Sequence, residues 1–347
     1  MYQTTKAALP LDQQDDLDFT GLESFLKKEL PILTGSLDLK LLPHGYTNKN
    51  YLISMGRYEL VLRSPNPRFE RDLQREFNVL SHLIRLFRKM PRPFVYYGEK
   101  DLTGMPFYIM ERLRGVVLRR ADDDITLDEP VRDHMAGQIL EAMADLHNVD
   151  TQQSGLEESG HPGDPTARQV NGWLREYRHL ARDSAPELAS IASWLSDHIP
   201  QSSGSCIVHN DFKLDNLVFS EDLSTLEGIM DWEWAGLGDP FMDLGIALAW
   251  WLEPGDPEPL RPLTVACASR FSDREAMMNY YLERVPFKME SPLFYYIYGL
   301  FVASISLSGR ALHETHAPES DPRQAARAFA QQAQRALEQQ KISGLTC

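Results

Sequence analysis

Apolar positions change period twice along this chain, and the changes divide it into differently built parts. Residues 1–18 read as a flexible tail, and Phe19 to Leu30 reads as a short amphipathic helix halted by Pro31. From Leu37 to Ser64 the pattern shortens to β-prone runs, Leu37–Leu42, Asn50–Met55 and Tyr58–Arg63, separated by polar turns that carry Gly45 and Gly56. A helix follows from about Pro67 to Arg88, because Leu73, Phe77, Leu80, Leu83, Ile84 and Phe87 recur three and four apart. Two more strand-like runs, Phe94–Tyr97 and Pro106–Met110, end the sheet-type pattern. After Leu113 nearly everything has helical period, apart from the segment Cys206–Asp231. The expected helices are Glu129–His147, Thr166–Arg182, Pro186–His198, Pro240–Trp251, Asp273–Glu283, Leu293–Ser308 and Pro322–Gln339. The pattern predicts an α+β chain with a sheet-bearing part over 19–110, a connector over 111–114 and a helical part over 115–341.

Composition narrows the classes. At 347 residues, 43% hydrophobic and 24% charged, the chain resembles ordinary globular domains and has length enough for a large core. A formal charge of −15 argues against general nucleic-acid binding, since no basic stripe is present to displace phosphate counterions. The acidity suits a cationic substrate, and it equally suits plain solubility. No stretch reads as apolar enough, for long enough, to cross a bilayer, so no membrane partner is expected. The opening run MYQTTKAALPLDQQDDLDF is acidic and polar rather than basic then apolar, which makes a cytoplasmic location the default expectation. Cys206, Cys267 and Cys347 lie too far apart to suggest a disulfide framework or a zinc pattern. His313 and His316 sit three apart with no third ligand evident, so a zinc site is not expected there either. Nothing in the sequence sets the oligomeric state.

Candidate chemistry begins at Ile207. The tract reads IVHNDFKLDNLVF, and about twenty residues on comes GIMDWEWAGLGDPFMDLG. Phosphoryl transfer needs positioning and cations more than covalent chemistry, because its transition state spreads negative charge over the moving group. One carboxylate should orient the attacking hydroxyl, and Asp211 suits that task from a loop after the short strand Cys206–Val208. Magnesium prefers oxygen ligands, and Asn216 and Asp231 offer an amide oxygen and a carboxylate. Leu217–Phe219 and Leu226–Met230 alternate like a hairpin that would bring these two ligands together. The plainer alternative makes His209, Asp211 and Asn216 ordinary turn residues, since Asp and Asn favour turns.

These motifs resemble the aminoglycoside phosphotransferase family of kinase-like enzymes, which also takes in choline and homoserine kinase relatives. The likeness runs from about Leu37 to the final helices. DWEWAGLGDPFMDLG, with LHNVD at Leu146–Asp150 and ARQVNGW at Ala167–Trp173, is most similar to the branch of kinase-like domains attached to acyl-CoA dehydrogenases. The resemblance implies a bilobal protein-kinase-like fold with ATP between an N-terminal nucleotide-binding lobe and a helical catalytic and substrate lobe. It also implies Asp211 as catalytic base within a loop that includes His209, and Asn216 and Asp231 as ligands of Mg2+.

Upstream, PHGYTNKNYLI resembles the hairpin over the ATP phosphates, with Thr47 and Asn48 standing where a fuller glycine-rich loop is usual. Arg63 in LVLR occupies the position of the usual phosphate-holding lysine, and arginine grips phosphate bidentately. Glu76 is its expected ion-pair partner, the alternative being a surface pair with a neighbouring arginine. FYIMERL resembles the strand and hinge that hold adenine, through Met110, Glu111 and Leu113. Asp239 and Asp243 are expected as structural supports, Glu233 either as a second magnesium contact or as a surface group, and Asn210 as a tolerated stand-in for the family's glycine. Trp250, Trp251, Tyr295, Tyr296 and Tyr298 suit a cation box or simply the core, and the Gly/Pro-rich run 157–165 suits an overhang of the acceptor. The expected partner is a small molecule with a hydroxyl: an amino sugar, an amino alcohol, a hydroxy acid or a CoA ester. ATP or GTP as donor stays open, as does a kinase-shaped nucleotide-binding module without transfer activity.

Overall fold

The computed structural model describes residues 18–42, 47–66, 72–118, 127–156, 163–181, 186–257, 259–260, 265–266, 270–313 and 322–345. Gly45, the tail over 1–17, the run 157–162, His316, Cys267 and Cys347 lie outside the described residues. The chain forms two compact units. The first comprises residues 1–116 together with 218–221 and 227–234, and the second the remaining segments. The chain therefore leaves the first unit near Val116 and comes back to it a hundred residues later.

The first unit is built on a five-stranded antiparallel sheet of order β1-β2-β3-β5-β4, made of β1 (Leu37–Leu42), β2 (Asn48–Met55), β3 (Tyr58–Pro65), β4 (Pro93–Tyr97) and β5 (Phe107–Glu111). Period-two alternation decides which residues face where. Tyr51, Ile53, Met55, Leu60, Leu62, Phe107 and Ile109 join Leu22 and Leu26 of helix α1 (Phe19–Glu29) in one apolar cluster. The intervening positions serve the other face, where Tyr108 meets Phe77 of helix α2 (Leu73–Leu83) and Arg63 meets Glu76. Arg63 thus points away from the apolar cluster because Leu60 and Leu62 point into it. Helix α2 is shorter than its periodic pattern, and Leu73, Glu76, Val79, Leu80 and Leu83 form its buried stripe.

The returning segment supplies strands β7 (Leu217–Phe219) and β8 (Leu226–Ile229), which pair as the expected hairpin. Phe219 bridges to Val116, Ile229 N–H donates to the Lys89 carbonyl at 3.0 Å, and the rings of Trp232 and Phe87 lie 5.9 Å apart. Gly115 has a φ of 145°, and a Cβ there would come within 2.1 Å of the Phe219 carbonyl oxygen. Only glycine allows the chain to pass the hairpin that closely.

The second unit is mainly helical. It holds α3 (Glu129–His147), α4 (Pro165–Glu176), α5 (Ala189–Asp197), α6 (Pro240–Ala249), α7 (Arg274–Leu282), α8 (Pro292–His313) and α9 (Pro322–Gln339), with strands β6 (Cys206–Val208) and β9 (Gly236–Gly238) paired antiparallel. The expected helix over 166–182 ends instead in a π-helical turn, Tyr177–Ala181. The axes of α6 and α8 approach closely, since a Cβ on Gly299 would meet the Gly245 carbonyl oxygen at 2.0 Å.

One expectation is corrected here. An 18-residue window of α8, Pro292–Gly309, has a mean hydropathy of 1.3 and is long and apolar enough to cross a membrane. That window is 83% buried, so its composition is that of a helix surrounded by protein, packed between α6 and α9. The same fact resolves the aromatic run. Tyr295, Tyr296 and Tyr298 are fully buried in α8, as core rather than as an open cation box.

Candidate active site

In the first unit, charged and polar side chains from four separate segments meet beside the sheet. Arg63 of β3 donates from Nε to Glu76 Oε2 of α2 at 2.9 Å, both groups being almost fully buried. Its Nη2 donates to the carboxylate of Asp231 and lies 3.6 Å from Glu233 Oε2. Glu233 also accepts from Thr47 Oγ1 at 3.2 Å and from Asn48 Nδ2 at 2.7 Å, while its backbone carbonyl accepts from Arg75 Nη1 at 3.0 Å. The expected pair of Arg63 with Glu76 is present, and both belong to the buried face rather than to a solvated surface. Asn48 lies in β2 itself rather than in the preceding turn.

Three carboxylates gather around one buried guanidinium. Burial works against the charge on Arg63, but Glu76, Asp231, Tyr108 and Glu233 outweigh it and raise its pKa well above the ordinary arginine value. Burial pushes Glu76 up to about 7; the Arg63 guanidinium opposes that shift, and Asp231 and Glu233 add to it. A divalent cation suits such a donor set, and Asp231 is the carboxylate of the three with most access to solvent, its side chain 30% exposed. Asp231 has a φ of 67°, a left-handed backbone that aspartate adopts more readily than most residues. Among the described residues no group of three or more His, Cys, Asp or Glu forms a metal cage. Magnesium does not require one, because it commonly takes one or two protein oxygens and completes its shell with phosphate and water.

At the connector, the Glu111 N–H donates to the Arg92 carbonyl at 2.8 Å and is thereby engaged. Met110 is half-buried on β5, opposite Val61 of β3. Leu113 packs against Gly228, where a Cβ would come within 2.7 Å of its Cδ1. Arg112 and Arg114 both turn back to Glu59, at 2.8 and 3.1 Å.

In the second unit, the loop after β6 is held from beneath by Asp243 of α6. Asp243 accepts from the backbone N–H of His209 at 2.6 Å and of Asn210 at 2.5 Å. His147 Nε2 lies 3.2 Å from the same carboxylate and Nδ1 lies 2.6 Å from the Tyr281 hydroxyl, all buried. Asn210 takes a φ of 65°, and its side-chain oxygen accepts from Gln169 at 2.7 Å. His209 is fully buried, and its Nδ1 accepts from the Asp211 N–H at 3.2 Å. That placement makes His209 a support for the loop rather than a group that meets substrate.

Asp211 is half-buried and flanked by two donors. Asn216 Nδ2 reaches its Oδ2 at 2.7 Å and its backbone carbonyl at 2.9 Å, and Lys213 Nζ reaches Oδ2 at 3.0 Å. With its amide nitrogen turned to Asp211, Asn216 keeps its amide oxygen for another partner. Lys213 was not foreseen, although it stands two residues after Asp211 in the DFK run. Asp239 caps α6 through the Phe241 N–H at 2.9 Å and accepts from Thr166 at 2.6 Å and Tyr295 at 3.0 Å. It is structural, as expected.

A profile of the phosphotransferase enzyme family (APH) matches residues 38–278, a span that holds every residue described above in both groups except Tyr281 and Tyr295. The chain belongs to this family. It is 31% identical over 244 residues to acyl-CoA dehydrogenase family member 10 of Mus musculus, an alignment covering 68% of the chain and 23% of that protein. The chain therefore spans about a quarter of that relative. Among solved structures, a Ralstonia eutropha protein assigned to the aminoglycoside phosphotransferases aligns with a TM-score of 0.73 and 25% identity, covering 90% of this chain and 96% of that one. A thermostable variant of the aminoglycoside phosphotransferase APH(4)-Ia, solved with ADP and hygromycin B, aligns with a TM-score of 0.59 and 16% identity over 91% of this chain and 98% of that one. The fold is the α+β, protein-kinase-like fold of these phosphotransferases, as the sequence motifs imply.

Proposed function

We propose that the protein is a magnesium-dependent small-molecule kinase that transfers the γ-phosphate of ATP to a hydroxyl group. The observation that carries this reading is the setting of Asp211, a carboxylate on a loop fixed by Asp243, with Asn216 and Lys213 on its flank. Asp211 accepts the proton of the acceptor hydroxyl as that oxygen bonds to the γ-phosphorus; the bond from the γ-phosphorus to the bridging oxygen breaks, and ADP leaves. Lys213 holds Asp211 in place and adds positive charge where the phosphoryl group gathers negative charge. Arg63, Thr47 and Asn48 hold the nucleotide phosphates, Glu76 orients Arg63, and Met110, Glu111 and Leu113 border the base. Asn216 and Asp231 hold magnesium, which when bound neutralises phosphate charge. ADP in the complex of a fold neighbour supports a nucleotide site, and the cytoplasm, rich in ATP and magnesium, is the fitting location.

The test is turnover of Mg-ATP and Mg-GTP against a library of hydroxylated metabolites. Asp211→Asn should lower turnover by roughly a hundredfold or more, the usual loss on removing a positioned base. Turnover near the wild-type rate removes Asp211 from that role. A wild type that binds nucleotide but never transfers it, with any acceptor, favours the reading as a binding module, to which the arginine at position 63 also leans.

A further inference from the structure

The run ARQVNGW on α4 stands out in the sequence, and the transfer step leaves it without a task. Its Gln169 bridges two elements. The backbone N–H of Asp239 donates to Gln169 Oε1 at 2.9 Å, and Gln169 Nε2 donates to Asn210 Oδ1 at 2.7 Å. A backbone N–H can only donate, so the oxygen of Gln169 must face Asp239, and its nitrogen must face Asn210. The base of this bridge is firm. Asp164 caps α4 at the Ala167 N–H at 3.0 Å, Thr166 donates to Asp239 at 2.6 Å, and Arg168 donates to the Leu237 carbonyl at 3.1 Å. Gly238 of β9 leaves the room, since a Cβ there would come within 2.6 Å of Gln169 Oε1.

Asn210 is where such a bridge matters. Its φ of 65° is a left-handed backbone, costly for a residue with a Cβ, and Asp211 is the next residue. Asp243 holds Asn210 at its backbone N–H, on one side of the N–Cα bond. Gln169 holds its side chain, on the other side. Two anchors across one bond lock that torsion, and with it the direction in which the chain presents Asp211. We infer that Gln169 is a positioning residue for the transfer step: it locks Asn210 in the left-handed turn and so keeps Asp211 aimed. The inference rests on the kinase reading above for the task of Asp211, and on the bridge alone for the lock.

The experiment is a cycle on the full chain: wild type, Gln169→Ala, Asn210→Gly and the double variant. Turnover is read as ADP release from Mg-ATP, with water as acceptor and with the acceptor that the library screen yields. Amide exchange at 210–212 is followed without any ligand. Gln169→Ala should lower kcat roughly tenfold and leave KM for ATP within about twofold, since the donors assigned to the nucleotide lie in the first unit. Glycine takes a left-handed φ without that cost, so it needs no lock. In the Asn210→Gly background the same change should therefore lower kcat by at most about twofold. Exchange should follow suit: several times faster at 210–212 in Gln169→Ala than in wild type, and equal in Asn210→Gly and the double variant. A kcat left unchanged by Gln169→Ala overturns the proposal, as does unchanged exchange. A loss that persists in the Asn210→Gly background overturns it too, because Gln169 then acts through Asp239. Should Gln169→Ala not fold, Asn210→Ala repeats the test with the bond to Asp239 intact, and turnover equal to that of Asn210→Gly overturns the lock likewise. A wild type that releases no ADP under any of these conditions brings down the kinase reading instead, and the exchange comparison still decides the lock.

Discussion

The loop from His209 to Asn216 and the cluster around Arg63 carry the same kinds of side chain, yet they are held by different means. In the loop, one buried carboxylate, Asp243, takes two backbone N–H groups, and Asn216 returns to the backbone carbonyl of Asp211. Those contacts fix main-chain geometry, and Asn216 Nδ2 then holds the carboxylate of Asp211 at 2.7 Å. In the cluster, charged side chains hold one another: Arg63 against Glu76, Asp231 and Glu233, and Glu233 against Thr47 and Asn48. A buried ion pair gives little net stability, because the desolvation of both partners nearly cancels their attraction. The loop is therefore preorganised, which is what the role proposed for Asp211 as proton acceptor needs. The cluster rests on side-chain charge pairs, which is what the phosphate binding proposed for Arg63, Thr47 and Asn48 would have to work against.

Removing the support of the loop should have the largest effect. Asp243→Ala leaves the N–H groups of His209 and Asn210 and the ring of His147 buried without their acceptor. Hydrogen bonds to a charged group contribute about 1.5–3 kcal/mol each, so a loss of at least about 3 kcal/mol is expected. It should appear as a lower urea midpoint with an unchanged slope. Turnover should fall with it under conditions where the variant is still folded, because Asp211 loses its fixed place. A variant that keeps its stability would show that the loop is held by His209 and Gln169 instead, and the contrast with the cluster would weaken. Arg63→Lys probes the other side: lysine keeps the charge but loses the planar fork that grips phosphate bidentately, so nucleotide binding should suffer more than stability.

The two regions also differ in how far they can be read from the chain. The loop was legible because its parts are close in sequence: a strand, His209, Asp211 and Asn216 lie within eleven residues, and the Asp-rich helix start follows soon after. The position of Arg63 was legible from strand period alone, since Leu60 and Leu62 take the other face. The partners of Glu233 were not. Thr47 and Asn48 stand 186 and 185 residues away from it, and no local period links a strand end to a segment beyond a distant hairpin. A linear division of the chain after residue 114 likewise has no means to register that 218–221 and 227–234 return to the first unit. Gly115 and Gly228 were the available signals, two glycines where close backbone and side-chain approach is needed, but a lone glycine in a loop points equally to an ordinary turn. The membrane-length apolar window of α8 misleads in the opposite sense, because hydropathy registers burial without saying what does the burying.

The smaller test turns on pH. Burial, with Asp231 and Glu233 adding to it against Arg63, holds Glu76 at about 7, where an unfolded glutamate sits near 4.5. The folded protein thus binds this proton more tightly than the unfolded chain does. The linked stabilisation is fully present below pH 4.5 and is lost as pH rises through about 7. The groups facing Glu76 are Arg63 from β3, Tyr108 from β5, and Asp231 and Glu233 from the returning segment. Glu76→Gln keeps the shape and removes the titration. The stability of wild type relative to this variant should fall by up to roughly 3 kcal/mol between pH 4.5 and pH 7 in urea titrations without nucleotide or metal. Combined with Glu233→Gln the fall should shrink, because one of the negative charges that keep the proton on Glu76 is gone. A difference that stays flat with pH would mean that Arg63 alone dictates the charge of Glu76, and that the cluster is as firmly set as the loop.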